Sequence, residues 1–267
     1  MIARTVLETG RLTTPEYWDG YLRKFRLPRA NDPRRMPWRA IDRVLAPALP
    51  SAPADVLEVG CAASAWLPYF ASRGYRCFGV DYSAMGCSMA VRNLAHYGSV
   101  ADVWCADLFR PAHTGRGFDV VFSNGLVEHF EDTAEVLRQL RALARPGGLV
   151  VTLVPNLAGW AGKGFRRQNP RAFAEHVVIE PEDLRRAHEN AALEIVRIDH
   201  CGVWFPYLWS ARPRGASRAV TFALKCAVHG TARPIWGLTA LTGRYPEGRA
   251  MSPYVLAIAR RPVGSER

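Results

Sequence analysis

With 267 residues, 49% apolar and 22% charged, the chain has the make-up of a soluble globular protein of one large domain, or of one domain with sizeable additions. No apolar run approaches the ~20 residues of a membrane span, and MIARTVLETGRL lacks the apolar centre of an export signal, so a cytoplasmic chain is expected. The formal net charge is +11, yet lysine stands only at 24, 163 and 225, so 32 of the 35 basic residues are arginine, dispersed as in GC-rich coding rather than gathered into a nucleic-acid-binding arm.

Residues 1–50 mix aromatic and polar segments. PEYWDGYLRKF predicts a short helix, PRANDPRRMPW a proline-rich loop, and a second helix follows at about 38–47. Tyr17, Trp18 and Tyr21 cluster on the first helix, either as core or as a lid over a site. From 54 onward short apolar runs alternate with helical patterns, the signature of βαβ units and a parallel sheet. Predicted strands are 55–60, 75–81, 100–107, 118–124 and 148–155, apolar enough to be buried on both faces. Predicted helices are 65–73, 83–96 and 132–144, the last closed by Arg145-Pro146-Gly147-Gly148. Residues 155 to about 178 read as a loop rich in Gly, Arg and aromatics. PEDLRRAHENAA (181–192) opens with proline and acids, as a helix N-terminus does. Residues 193–205 and 253–261 predict a final strand pair. The segment 206–252 between them is too long for a tight hairpin, is partly helical in pattern, and is expected to cover a substrate site. Cys61, Cys77, Cys87, Cys105, Cys201 and Cys226 each fall in an apolar stretch with no C-x-x-C pair, which predicts small buried thiols, a reduced compartment and no zinc site.

In an open parallel sheet, ligands bind at the carboxyl ends of the strands, where the strand order switches. The residues that end the first four strands are therefore candidate contacts: Glu58 and Gly60, then Asp81, then Asp107, then Ser123, Asn124 and Gly125. Three carboxylates around one pocket repel one another unless the ligand brings donors or positive charge. A dinucleotide fits that poorly; an adenosine with two ribose hydroxyls and a cationic amino-acid tail fits well. The loop GCAASA points the same way. It lacks the second glycine that admits a pyrophosphate, and Ala62 and Ser64 stand where glycines would be expected. Asp81 follows Gly60 by 21 residues, close to the separation expected of a ribose-binding acid; the competing role is capping the helix that Ser83 opens. Asp107 taken alone reads as a turn residue.

LEVGCAASAW, GVDYSAM, CADLFRP, FDVVFSNGLVEHF and LARPGGLVVT, in this order over about residues 54–156, resemble the successive motifs of class I S-adenosylmethionine-dependent methyltransferases, those of quinone and natural-product pathways most of all. The resemblance implies a Rossmann-like α/β fold: a seven-stranded, mostly parallel sheet with helices on both faces and the last strand antiparallel. It implies an N-terminal helical lid (1–50), a core (51–205 and 253–263) and an insertion (206–252). The implied cofactor is S-adenosyl-L-methionine. Gly60, with Ala62 beside it, would meet the methionyl part; Glu58 would lie near the cofactor's amino group. Asp81 would accept from the ribose hydroxyls, Tyr82 would pack on the adenine, and Asp107 would accept from its exocyclic amine with Leu108 alongside. Ser123, Asn124 and Gly125 would line the sulfonium end.

The sulfonium is already activated, so alignment of the acceptor supplies much of the catalysis, and a base matters only where the acceptor must lose a proton. His129, after the fourth strand, and His176, in RAFAEHVVIEP, are the candidate bases or positioners, against a role in buttressing the loop or packing. Trp160, Phe165, Trp204, Phe205, Tyr207, Trp209 and Trp236 suggest a flat or apolar substrate; Arg166, Arg167 and Arg171 are either surface charges or partners for an acidic group on it. No Asp/Asn/Ser-Pro-Pro-aromatic motif follows the fourth strand, no Pro-Cys dipeptide occurs, and no acidic cluster suggests a catalytic metal, so a small molecule is expected as substrate rather than a nucleic-acid base. The expected activity is O-methylation in bacterial specialised metabolism, with N- or C-methylation, an RNA or protein substrate, or cofactor binding without transfer as the alternatives.

Overall fold

Strand β1 (Asp55–Val59) is buried along its whole length. It lies inside a seven-stranded sheet ordered β3-β2-β1-β4-β5-β7-β6, in which β2 spans Arg76–Asp81, β3 Ala101–Cys105, β4 Phe118–Asn124, β5 Ala144–Pro155, β6 Glu194–Cys201 and β7 Tyr254–Arg260. Residues 10–110, 116–206 and 217–264 are described here, from a computed structural model. The first five strands are parallel. β7 enters between β5 and β6 antiparallel to both, which gives the expected sheet with its last strand reversed.

Side chains alternate across the sheet, and each face carries its own core. Leu57, Val59, Val121 and Val150 pack against α5 (Thr133–Leu143) and α8 (Pro181–Asn190). Val56, Val120, Phe122 and Val151 pack on the other face with α2 (Trp38–Leu45), α3 (Trp66–Ala71) and α4 (Ala84–His96). The order reverses between β1 and β4. Val59 is level there with Val80 on one side and Ser123 on the other, so Gly60, Asp81 and Asn124 emerge together at the carboxyl ends. The opposite end is closed by arginine: Arg76, Arg116 and Arg145 converge on the buried Asp55.

Three expectations are corrected. Residues 155–178 are not one loop but hold α6 (Trp160–Gln168) and α7 (Pro170–Ala174). The glycines that suggest a loop are there for close approach: a Cβ on Gly162 would fall 2.1 Å from the Leu157 carbonyl oxygen. Asn156 pins the start of α6, accepting from the Gly159 amide and donating to the carbonyls of Arg249 and Ser252. Second, β3 is not buried on both faces. It is an edge strand with Asp102 and Cys105 exposed. Third, only Cys61, Cys77, Cys87 and Cys201 are buried; Cys105 lies on that edge and Cys226 on an exposed helix.

α1 (Pro15–Leu22), capped by Thr14, lies against α4. The segment after β6 holds α9 (Arg218–Gly230) and α10 (Ala232–Thr242) before β7 begins. Among the described residues no helix is long and apolar enough to cross a membrane.

Candidate functional site

The loop after β1 is built on three main-chain decisions. Gly60 turns at φ +73°, donating its amide to the Val80 carbonyl at 2.8 Å, and a Cβ there would meet Leu126 at 3.3 Å. Ala62 also takes a positive φ, +35°, which places its amide 2.9 Å from Asp81 Oδ2. That conformation disfavours any side chain, which is why glycine is expected at this position. Ser64 turns away from the loop mouth. Its Oγ accepts from the amides of Trp66 and Leu67, both at 2.9 Å, and donates to Glu58. One hydroxyl thus caps α3 and orients the carboxyl. Burial raises Glu58 from the ordinary 4.5 to about 8 with the Asp81 charge adding to it, while Ser64, the Leu67 amide and Arg29 act in the other direction.

Asp81 is 7% exposed, accepts from the amides of Ala62 and Ser83, and is raised by burial to about 6. It is not the cap of α4. Ser83 fills that role, its Oγ accepting from the Gly86 amide at 2.9 Å and donating to Asp19 of α1 at 2.5 Å. The Asp81 carboxylate is therefore held facing the loop.

Asp107 opens the turn after β3 but already has a partner. Arg11 bonds both of its oxygens, at 2.7 and 3.0 Å, and the guanidinium lies 4.6 Å from the centre of the Tyr82 ring. Burial raises the Asp107 carboxyl; Arg11 and the Phe109 amide outweigh it, and the net direction is down. Arg11 thus occupies both contacts that the sequence assigns to an adenine. Leu108 is in the core beneath, with Val127 and Phe130. Ser123 Oγ is buried with no protein partner, and Gly125 turns at φ +69° beside Glu128.

Glu128 and His129 sit on a single 3₁₀ turn (Val127–His129) and are 1% and 4% exposed. The structure brings His129 and His176 together, ring centres 4.3 Å apart. His129 Nδ1 lies 2.7 Å from the Glu175 carbonyl oxygen and His176 Nδ1 lies 2.8 Å from that of Ala172, which assigns the Nδ1–H tautomer to both. Burial, helped by His176, pulls His129 down from 6.5 to about 3, so the ring is neutral; burial pushes Glu128 up to about 8. Glu128 Oε1 is 3.9 Å from His129 Nε2, and Oε2 has no partner. The ligand atoms of Glu128, His129 and His176 lie within 4.8 Å of one another, a donor set with the spacing to hold a divalent metal that the sequence reading did not foresee.

α1 covers this cluster. The Trp18 ring stands edge-on to His129 at 5.0 Å, with Tyr17 and Tyr21 packed on either side of it and its Nε1 bonded to Thr13. Trp160 and Trp204 form a separate group, ring centres 6.3 Å apart. Trp204 is 8% exposed and donates to Thr231 between α9 and α10, while Trp160 is 55% exposed. Tyr207 and Trp209 lie outside the described residues. Sequence reasoning missed Arg11, Asp19 and Arg29. Arg29, reaching the Ala63 carbonyl at 3.3 Å and fixed through its backbone to Asn93, brings a guanidinium to the loop after β1.

A methyltransferase-domain family model matches residues 29–198. A ubiquinone biosynthesis O-methyltransferase of Thiobacillus denitrificans is 31% identical over 155 residues, 54% of this chain and 66% of that protein. One from Brucella ovis is 27% identical over 157 residues, 56% and 62% respectively. The matched regions thus span less than two thirds of these relatives' length. Among solved structures the fold resembles the [4+2]-cyclase SpnF (TM-score 0.61, 19% identity, 98% of this chain and 99% of that one). It also resembles a geranyl diphosphate C-methyltransferase of Streptomyces coelicolor (TM-score 0.56, 14% identity, 92% and 97%).

Proposed function

The chain belongs to the class I S-adenosylmethionine-dependent methyltransferase family, and on that footing we propose that it transfers the methyl group of S-adenosylmethionine to an oxygen of a small molecule. The observation that carries the reading is the ring of acids at the switch point. Asp81 is buried, faces the loop after β1 and has its oxygens aligned by two backbone amides. Such a carboxylate suits a pair of ribose hydroxyls. Glu58 and Asp19 add acceptors nearby, and Arg29 offers a cation for the carboxylate of the amino-acid tail.

The acceptor would lie between this row and the Glu128–His129–His176 cluster, under α1. Attack by its oxygen on the methyl carbon breaks the carbon–sulfur bond, releases S-adenosylhomocysteine and leaves the hydroxyl proton to be accepted. With Nδ1 bonded to the Glu175 carbonyl, His129 presents a lone pair at Nε2 for that proton. Glu128 beside it, held neutral by burial, would have to give up its own proton to balance the imidazole as it becomes cationic. The relatives' O-methyltransferase names and the buried, aromatic-covered cluster both favour a small hydroxylated molecule over a polymer.

Calorimetric titration of the chain with S-adenosylmethionine, beside Asp81→Ala, tests the donor site, and labelled-methyl transfer to a panel of small hydroxylated aromatics tests the acceptor class. Asp81→Ala should weaken binding about 10- to 100-fold, the weight of charge-assisted hydrogen bonds. Unchanged affinity would overturn the site.

A further inference from the structure

α9 is an anomaly for a helix of its length. It runs for 13 residues, its sequence is RAVTFALKCAVHG, and none of its described residues is buried. Val220 is 50% exposed, Phe222 70% and Leu224 40%. α10 continues the pattern with a division of faces. Ala232, Ile235, Trp236 and Thr239 turn inward, Ala232 and the two large side chains packing with Trp204, while Leu238 and Leu241 on the other side are 63% and 87% exposed. The hairpin is nonetheless fixed to the body. Trp204 Nε1 donates to Thr231 Oγ1 at 2.8 Å at the bend, and Trp236 Nε1 donates to the Trp204 carbonyl at 3.0 Å. An anchored hairpin that shows aliphatic and aromatic side chains to solvent is built to be covered.

Charge decides what covers it. From Ser217 to Pro246 the charged residues are Arg218, Lys225, Arg233 and Arg244, and there is no acid. A second copy would bring the same basic hairpin against this one, and the whole chain repels its copy at a net charge of +11. An anionic lipid surface offers an apolar layer for the leucines and phenylalanine and phosphates for the basic residues. We propose that the α9–α10 hairpin docks on an anionic bilayer, seating its most exposed large apolar side chains, Phe222, Leu238 and Leu241, at the boundary between headgroups and acyl chains. The enzyme would then work at a membrane surface without crossing it.

The test is vesicle flotation with the full chain. Phosphatidylcholine vesicles are compared with vesicles in which about one lipid in four is phosphatidylglycerol, each at low and high salt. The expected result is about tenfold more protein on the anionic vesicles, weakened by salt, and a return to the neutral-vesicle level in the double variant Phe222→Asp, Leu241→Asp. Affinity for S-adenosylmethionine, read in parallel, should be the same in variant and wild type, which separates a failure of docking from a failure of the fold or of the methyltransferase reading. If that affinity does fall, the single variant Leu241→Asp, at the most exposed position, repeats the comparison. Equal binding to both vesicle types, no binding, or retention by the correctly folded variant would overturn the proposal. So would a dimer in solution that the same substitutions dissociate, which would assign the face to a second copy.

Discussion

Arg11 chelates Asp107, with terminal nitrogens 2.7 and 3.0 Å from the two carboxylate oxygens, and its guanidinium is stacked on Tyr82. A flat, nitrogen-rich group thus sits where an adenine would find its hydrogen-bond acceptor and its ring. An adenine held by Asp107 and Tyr82 would have to displace it. Arg11→Ala is therefore expected to tighten S-adenosylmethionine binding by about three- to tenfold, the scale of one partly buried ion pair. Calorimetry decides: weaker binding in the variant would mean that Arg11 is part of the donor site rather than its competitor.

Stability should fall between pH 6.5 and 8. Burial holds Glu58 and Glu128 protonated up to about 8 against an ordinary 4.5, so across that window the folded chain keeps protons that the unfolded chain has lost, and stability declines as pH rises. His129, pulled down to about 3, acts oppositely, but only below its ordinary 6.5. Above 6.5 the two carboxyls dominate. We expect the melting temperature to drop by about 2–5 °C from pH 6.5 to 8, and Glu128→Gln to drop clearly less. A wild-type melting temperature that is flat or rising there would show that neither carboxyl is held neutral.

Ala62 carries a positive φ of +35° that glycine tolerates without strain. Relief of about 1–2 kcal/mol of strain is partly offset by the greater freedom of an unfolded glycine. Ala62→Gly should therefore raise the melting temperature by about 1–3 °C, and donor affinity should hold or improve. A large loss of affinity on titration would mean that the methyl group of Ala62 makes a contact the donor needs.

His129→Asn keeps the backbone bonds of the turn and removes the Nε2 acceptor. Methyl transfer should slow by about 10²–10⁴, the usual worth of a positioned base, while donor affinity changes less than about twofold. A rate within a factor of two of wild type would assign His129 to packing under Trp18.

The parallel core was legible because β1, β2, β4 and β5 are near-continuous apolar runs and the helices between them carry clear boundary residues, Ser83 and Asp132. The acids at the strand ends were legible for the same reason, since an open parallel sheet makes position along a strand predict position in space. What escaped was set by contacts distant in sequence. Gly162 and Gly164 read as breakers, whereas the start of α6 is held by Asn156 donating to the carbonyls of Arg249 and Ser252, far along the chain. Arg11 lies in a segment with no periodicity and 96 residues from Asp107, and nothing local marks the pair. Glu128, His129 and His176 were each visible, but their convergence depends on α7 turning back, a turn hidden in the stretch read as a loop.

Arg11 is also tied to the other end of the site. Leu12 donates its amide to the His129 carbonyl at 2.8 Å, and Glu131 donates to that of Gly10 at 2.9 Å, so residues 10–12 form one stitch with the turn that carries His129. An adenine that lifted Arg11 from Asp107 would pull on this stitch. The arrival of the donor would then be felt at the turn that carries His129, and the kinetics should show a compulsory order, donor first and acceptor second, rather than random addition.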